Sequence, residues 1–299
     1  MMNSGLILFN KPPGITSFDA LRGIKRALGT GKVGHTGTLD KFASGLLIVL
    51  TGKALRLSKY FTHCDKKYTG KIHFGKETDT LDPEGKITAE ASPPGREEIE
   101  NALPQFTGEI LQEPPVFSAI HVNGKRASSL VRTGQMPEMK KRKITIYELK
   151  LLSWNPPFAE IYIHCSSGTY IRSLVRDIAL AAGSRGYLCE LTRTQVAGFE
   201  LGMTNDEKSG IFVRPINKNI ITKLGLPWFE VSAQEAQNIL HGKPLNKEHF
   251  SSSALHTPDY SLTDNPYPLL QSAAVFHDEE LIAVIEQING NWKYGCVIS

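Results

Sequence analysis

Short apolar runs and alternating stretches, rather than long helical stripes, make up most of this chain, and they predict a mixed α+β protein. Residues 6–9, Leu-Ile-Leu-Phe, read as a first strand ended by Asn10-Lys11-Pro12-Pro13-Gly14, a turn in which two prolines and a glycine stop any regular element. A helix follows: Thr16 and Asp19 have capping-box spacing, Phe18, Leu21, Ile24 and Leu28 lie on one stripe, and Gly29 is a fitting stop. Residues 45–50 form a buried-strand run, 53–61 have helical spacing, and 67–74 alternate, with Tyr68, Gly70, Ile72 and Phe74 on one side. An amphipathic helix is expected over 96–106 through Ile99, Leu103 and Phe106, with strands over 144–152 and 158–165. The clearest helix starts after Gly168 with Thr169 as its N-cap, repeats Ile171, Leu174, Val175, Ile178, Ala179 and Ala182, and ends at Gly183. At the C-terminal end, 273–277, 281–287 and 291–298 look like three short strands, with Asn289-Gly290 suited to a type I′ turn, and 251–268 reads as a long surface loop.

Two polar residues stand out against this pattern. Asp40 sits between a glycine-laced loop (Gly31, Gly34, Gly37) and the rigid run beginning at Gly45, a placement suited to a nucleophilic carboxylate, although on the residues alone an ordinary turn aspartate is the commoner reading. Arg172 falls in the first turn of the clear helix, where a cation opposes the macrodipole, so it calls for an anionic partner. That partner is either a surface acid, contributing little, or the carboxylate of Asp40 in a buried pair. Tyr68 on its own is as readily a core residue.

Charge narrows the class. The 299 residues carry a net +4, but residues 226–299 hold three lysines, no arginine and nine acids, leaving +10 on residues 1–225. Residues 116–150 alone carry +6 around Lys140-Lys141-Arg142-Lys143, in loop-like surroundings that suit a phosphate-gripping flap over 113–143. The larger part thus fits a polyanionic partner, with a boundary expected near residue 226. Four scattered cysteines form neither a zinc pattern nor a disulfide framework, no apolar run approaches a membrane span, and the first residues lack the basic start of a secretion signal. A cytoplasmic protein is expected.

Four motifs in order resemble the TruB-type tRNA pseudouridine synthases: Gly34-His35-Thr36-Gly37-Thr38-Leu39-Asp40, Lys11-Pro12-Pro13-Gly14-Ile15-Thr16-Ser17, Asp65-Lys66-Lys67-Tyr68 and Gly168-Thr169-Tyr170-Ile171-Arg172. Lys41 stands where that family usually has proline, and Ile48 replaces another frequent proline. The resemblance implies a pseudouridine synthase fold over 1–226, on a mixed and largely antiparallel central sheet with flanking helices, and a small PUA-like β-barrel over 227–299. It implies an isomerase that converts the T-loop uridine at position 55 of tRNA without cofactor or metal, acting as a monomer with no obligate protein partner.

On that resemblance, Asp40 is the catalytic carboxylate, Arg172 pairs with it, and Tyr68 stacks on the target base. His35 fills the space the flipped base leaves, Tyr170 and Leu191 line the nucleotide pocket, and Lys11 meets a phosphate. Three other readings remain open: a tRNA-folding chaperone with secondary catalysis, a guide-RNA-dependent synthase, and an unrelated aspartate-dependent nucleosidase. The acidity of residues 226–299 is the departure that bears most on RNA binding.

Overall fold

The computed structural model describes residues 4–122, 124–204, 210–245, 255–258 and 271–298. In chain order the first elements are β1 (Gly5–Lys11), α1 (Ser17–Leu28), β2 (Val33–His35), β3 (Ser44–Thr51), a 3-10 segment (Gly52–Leu57), α2 (Ser58–Thr62), β4 (Lys66–Phe74), β5 (Lys76–Thr78) and β6 (Ile87–Glu90). Then come α3 (Arg96–Ala102), β7 (Gly108–Gln112), β8 (His121–Val122), β9 (Lys125–Arg126), α4 (Ala127–Arg132), β10 (Arg142–Asn155), β11 (Phe158–Cys165), α5 (Ile171–Ala181) and β12 (Gly186–Val196). The last are β13 (Phe199–Glu200), α6 (Lys218–Leu224), β14 (Trp228–Glu230), α7 (Ala233–Leu240), β15 (Ser272–His277), β16 (Glu280–Ile288) and β17 (Asn291–Val297). The fold is mixed α+β, with a central, mostly antiparallel sheet and flanking helices. The chain divides into two compact units. The first holds the described residues of Met1–Lys41, Gly45–Asp65 and Thr194–Ser299, the second Phe42–Ser44 and Lys66–Arg193.

In the first unit β3 is the inner strand, buried from Gly45 to Thr51. On one edge it pairs antiparallel with β1, from Gly5↔Thr51 to Lys11↔Gly45, and on the other with β2, from Val33↔Thr51 to His35↔Val49. Leu46, Ile48 and Leu50 project to one face and pack with Leu6, Leu8, Leu57, Phe61, Ala274, Phe276 and Val284. The C-terminal strands thus share a core with the N-terminal ones, and each fully buried large side chain there contributes roughly 1.5–3 kcal/mol.

The C-terminal strands form a four-stranded sheet ordered β14-β15-β16-β17, parallel between β14 and β15 and antiparallel elsewhere. Its second face, with Val275, Ala283 and Ile285, is covered by Ala236 and Ile239 of α7. The β16–β17 turn is the one expected from Asn289-Gly290: both residues have positive φ, 52° and 77°, as a type I′ turn requires. Most of the loop expected over 251–268 lies outside the described residues; within it His256 stacks on Trp228 at 3.9 Å.

The second unit orders its strands β12-β4-β11-β10-β7. β4 and β11 pair without interruption from Phe158↔His73 to Cys165↔Lys66, whereas β10 meets β11 with register shifts after Ile146 and after Leu151. Helix α5 buries Leu174, Val175, Ile178 and Ala179, the stripe read from sequence. Its start differs from expectation. The N-cap is Tyr170, whereas the Thr169 hydroxyl donates to Ser166 O at 3.0 Å. The helix expected over 96–106 is α only to Ala102 and tightens to 3-10 over Leu103–Phe106, where Pro104 withholds an N–H. All four cysteines are free thiols, and burial pushes that of Cys189 up to about 11.

Candidate active site

The first unit contains Lys11, His35 and Asp40; the second contains Tyr68, Tyr170, Arg172 and Leu191. In the first unit, residues 36–41 have no helix or strand of their own, so their buried polar backbone must be satisfied by neighbours. It is. Thr36 N–H donates to Ile48 O at 3.1 Å, and the Thr62 hydroxyl donates to Thr36 O at 3.1 Å. The Ser17 hydroxyl accepts from Leu39 N–H at 2.9 Å and donates to Leu39 O at 3.0 Å. Gly14 N–H donates to Lys41 O at 2.8 Å from a position with φ of 84°. Backbone groups of both residues flanking the half-buried Asp40 are therefore anchored to the turn that opens α1, while the Lys41 side chain is exposed.

Lys11 takes part in this anchoring. It has no exposed surface, and its ammonium donates to Pro12 O at 2.9 Å and Ile15 O at 2.7 Å and lies 3.5 Å from Lys41 O. The physical reason is the double proline, which leaves a turn poor in N–H donors and rich in carbonyls. The expected phosphate contact at Lys11 needs a solvent-facing ammonium, and here the ammonium faces main chain. Thr16 and Asp19 form the expected capping box, and Gly29 closes α1 in the left-handed conformation. His35 ends β2, opposite Val49.

In the second unit Arg172 is 6% exposed. Its Nη1 donates to Thr80 O at 2.8 Å and Asp82 Oδ2 at 3.2 Å, and its Nη2 donates to Phe117 O at 3.1 Å. An anionic partner of the kind the helix dipole demands is thus present within the unit, Asp82. Asp82 is held in turn by the Thr80 hydroxyl at 2.6 Å and Glu84 N–H at 3.0 Å, both reaching Oδ1. Between them Leu81 is buried with φ of 61°, a left-handed conformation costing a leucine about 1–2 kcal/mol. Strain of this kind persists where surroundings impose it, and here it places Thr80 O and Asp82 on the same guanidinium.

Tyr170 is fixed through its backbone. The buried Gln112 accepts from Tyr170 N–H at 2.8 Å through Oε1 and donates to Tyr170 O at 3.0 Å through Nε2. One amide thereby clamps both polar groups of the residue that opens α5. Tyr68 is buried on β4 beside Ile163 of β11, and Leu191 is buried on β12 with its carbonyl 3.4 Å from the Ser44 hydroxyl. Ser17, Asp82 and Gln112 do not stand out in the sequence, since each acts on a partner between 22 and 90 residues away. The flap lysines and Arg142 are exposed as expected, and Lys143 pairs with Glu109 at 2.7 Å. Among the described residues no group of three His, Cys, Asp or Glu is placed to hold a metal, and no helix is long and apolar enough to cross a membrane.

Comparison with known proteins agrees with the motifs. Residues 25–171 match the TruB family pseudouridylate synthase N-terminal domain. Proteins named tRNA pseudouridine synthase B are 46% identical over 304 residues in Borrelia garinii subsp. bavariensis and 39% identical over 301 residues in Borreliella burgdorferi strain ZS7, each alignment covering 99% of both chains. One from Treponema pallidum strain Nichols is 31% identical, covering 99% of this chain and 98% of that one. Among solved structures, a chain of a Cbf5-Nop10-Gar1 complex superposes with a TM-score of 0.66 at 24% identity, over 99% of this chain and 83% of that chain. At that identity the likeness speaks to the fold. With relatives this similar along nearly its whole length, the chain belongs to the TruB family of pseudouridylate synthases.

Proposed function

We propose that the protein isomerises the T-loop uridine at position 55 of tRNA to pseudouridine, with Asp40 as the reacting carboxylate. The observation that carries this reading is the anchoring of Leu39 and Lys41, which holds the carboxylate between them in place without a regular element. The naming of near full-length relatives as tRNA pseudouridine synthase B supports tRNA as the substrate.

In the reaction the N1–C1′ bond of uridine breaks, the base turns, and a C5–C1′ bond forms while C5 gives up its hydrogen to solvent as a proton and N1 takes up one proton in exchange. Atoms and electrons otherwise balance within the nucleotide, so no oxidant, reductant or energy source enters. The carboxylate serves as covalent partner or stabiliser, as carboxylates do at sugar centres. Arg172, oriented by Asp82 and two carbonyls, pairs with Asp40 and fixes its geometry. Tyr68 stacks on the flipped uracil, Tyr170 and Leu191 line its pocket, and His35 occupies the space it vacates at a cost of a few kcal/mol of lost stacking. Lys11 supports the Asp40 loop, leaving phosphate contacts to the flap. Residues 227–299 act as a PUA-like module of minor importance for RNA affinity, given their charge. The protein works as a cytoplasmic monomer.

Tritium release from C5-labelled uridine tests the substrate. Release is expected from an unmodified tRNA transcript and from an isolated T stem-loop, and not from free uridine. Turnover of free uridine would point to a nucleosidase-like enzyme and contradict the proposal.

A further inference from the structure

We infer that Ser17 is a positioning residue for Asp40, an inference that rests on the catalytic reading of Asp40 given above. Ser17 is 2% exposed, and its hydroxyl serves both polar groups of one distant residue: it accepts from Leu39 N–H at 2.9 Å and donates to Leu39 O at 3.0 Å. Leu39 is itself 3% exposed, so both bonds lie away from bulk solvent. In a strand those groups would be paired along a ladder. In the loop over 36–43 one side chain does the work of a ladder, at the residue immediately before the reacting carboxylate.

Ser17 is also placed rigidly. It is the first residue of α1, directly after an N-cap closed by the reciprocal Thr16–Asp19 bonds, and α1 buries Ala20, Leu21 and Ile24. Its rotamer is therefore set by a packed helix, and the position of the Leu39–Asp40 peptide follows from it. On the far side Lys41 O is tied to Gly14 N–H, which belongs to the same turn. Asp40 is thus suspended between two bonds reaching back to one short segment, residues 14–17. Shifting a reacting group by about 1 Å costs on the order of 100-fold in rate, so loss of the nearer anchor should appear in turnover before it appears in RNA binding.

The test compares single-turnover tritium release, tRNA affinity and thermal unfolding in Ser17→Ala, Ser17→Cys, Thr16→Ala and Asp40→Ala. Thr16→Ala removes the cap on the same helix end and leaves the Leu39 bonds in place, so it reports what loosening α1 does by itself. The expected result for Ser17→Ala is a single-turnover rate down by roughly 100-fold with tRNA affinity within about threefold of wild type. Thr16→Ala, with a comparable drop in Tm, keeps its rate. Ser17→Cys, close in volume but a weak donor and acceptor, falls between wild type and Ser17→Ala. If Ser17→Ala does not fold, the Ser17→Cys and Thr16→Ala comparison decides on the same rate criterion. A wild-type rate in Ser17→Ala or Ser17→Cys beside an inert Asp40→Ala would overturn the role of Ser17 alone. Equal rate losses in the Ser17 variants and Thr16→Ala would reduce Ser17 to a helix-packing residue. An active Asp40→Ala would remove the catalytic reading, and the positioning role with it.

Discussion

The Arg172 guanidinium and the Asp82 carboxylate form a buried ion pair, Nη1 to Oδ2 at 3.2 Å, with 7% and 8% of their side chains exposed. Neither charge is near the water that would otherwise solvate it, and Arg172 also works against the dipole of α5. Such an arrangement holds because the groups are mutually satisfied: Thr80 O and Phe117 O accept from the guanidinium as well, and Thr80 and Glu84 hold the carboxylate.

Removing Asp82 should therefore cost far more than a surface acid. We predict that Asp82→Ala lowers unfolding free energy by about 3–5 kcal/mol, because it strands a buried cation. Asp82→Asn, which keeps hydrogen-bonding shape, should lose less stability but still lose turnover. Urea unfolding of both variants, with tritium release, checks this. Wild-type stability in Asp82→Ala would show that Arg172 does not depend on it.

Gln112 presents the same logic with neutral groups. Replacing it by leucine leaves the N–H and C=O of Tyr170 without their clamp, at about 1–3 kcal/mol per stranded group. Gln112→Leu should unfold at lower urea and turn over more slowly, with Gln112→Glu, which can still accept from Tyr170 N–H, less affected. Equal stability of wild type and Gln112→Leu would contradict the clamp.

Lys11 and the flap should separate in salt. Neutralising Lys140, Lys141, Arg142 and Lys143 is predicted to weaken tRNA binding and to flatten the dependence of log affinity on log salt by about 0.7–0.9 for each phosphate that the flap ceases to neutralise. Lys11→Met, at a position with no exposed surface, should lower Tm and leave the salt slope unchanged. Filter binding at several salt concentrations reads both, and a flattened slope in Lys11→Met would assign that lysine to RNA.

A pH dependence follows from Glu286 on β16. Burial alone would raise its pKa, but the bonds from Lys59 at 2.7 Å and the Tyr60 hydroxyl at 2.8 Å outweigh it and hold the carboxyl below the ordinary glutamate value. With the folded pKa below the unfolded one, the stabilisation is present above the unfolded pKa, near about 4.3, and is lost as pH falls through the folded value. The Tm gap between wild type and Glu286→Gln should be present at pH 7 and close toward pH 3. A gap independent of pH would show that the charge on Glu286 does not matter.

What is legible in the sequence is what depends on neighbours along the chain. The period of Leu174, Val175 and Ile178, the Thr16–Asp19 capping box and the Asn289-Gly290 turn are local, and each appears where its residues place it. Strand β12 is hard to read because its inward positions include a buried arginine, Arg193, which breaks the apolar alternation. Helix α7 carries its own capping box, Ser232 with Glu235, a local signal sufficient to find it. The links through Ser17, Asp82 and Gln112 join residues far apart in the chain, and no spacing rule predicts which carbonyl or carboxylate a folded chain brings to a given side chain. Lys11 shows the reverse: a basic residue in a motif suggests phosphate, and the carbonyl-rich double-proline turn encloses its ammonium instead.

The most direct measurement is tritium release from C5-labelled uridine in an unmodified tRNA transcript, wild type against Asp40→Ala, with tRNA binding and thermal unfolding followed in parallel. With Asp40 as the reacting carboxylate, wild type releases tritium and Asp40→Ala, folded and still binding tRNA, releases none. Near-normal release by Asp40→Ala would contradict that role for Asp40.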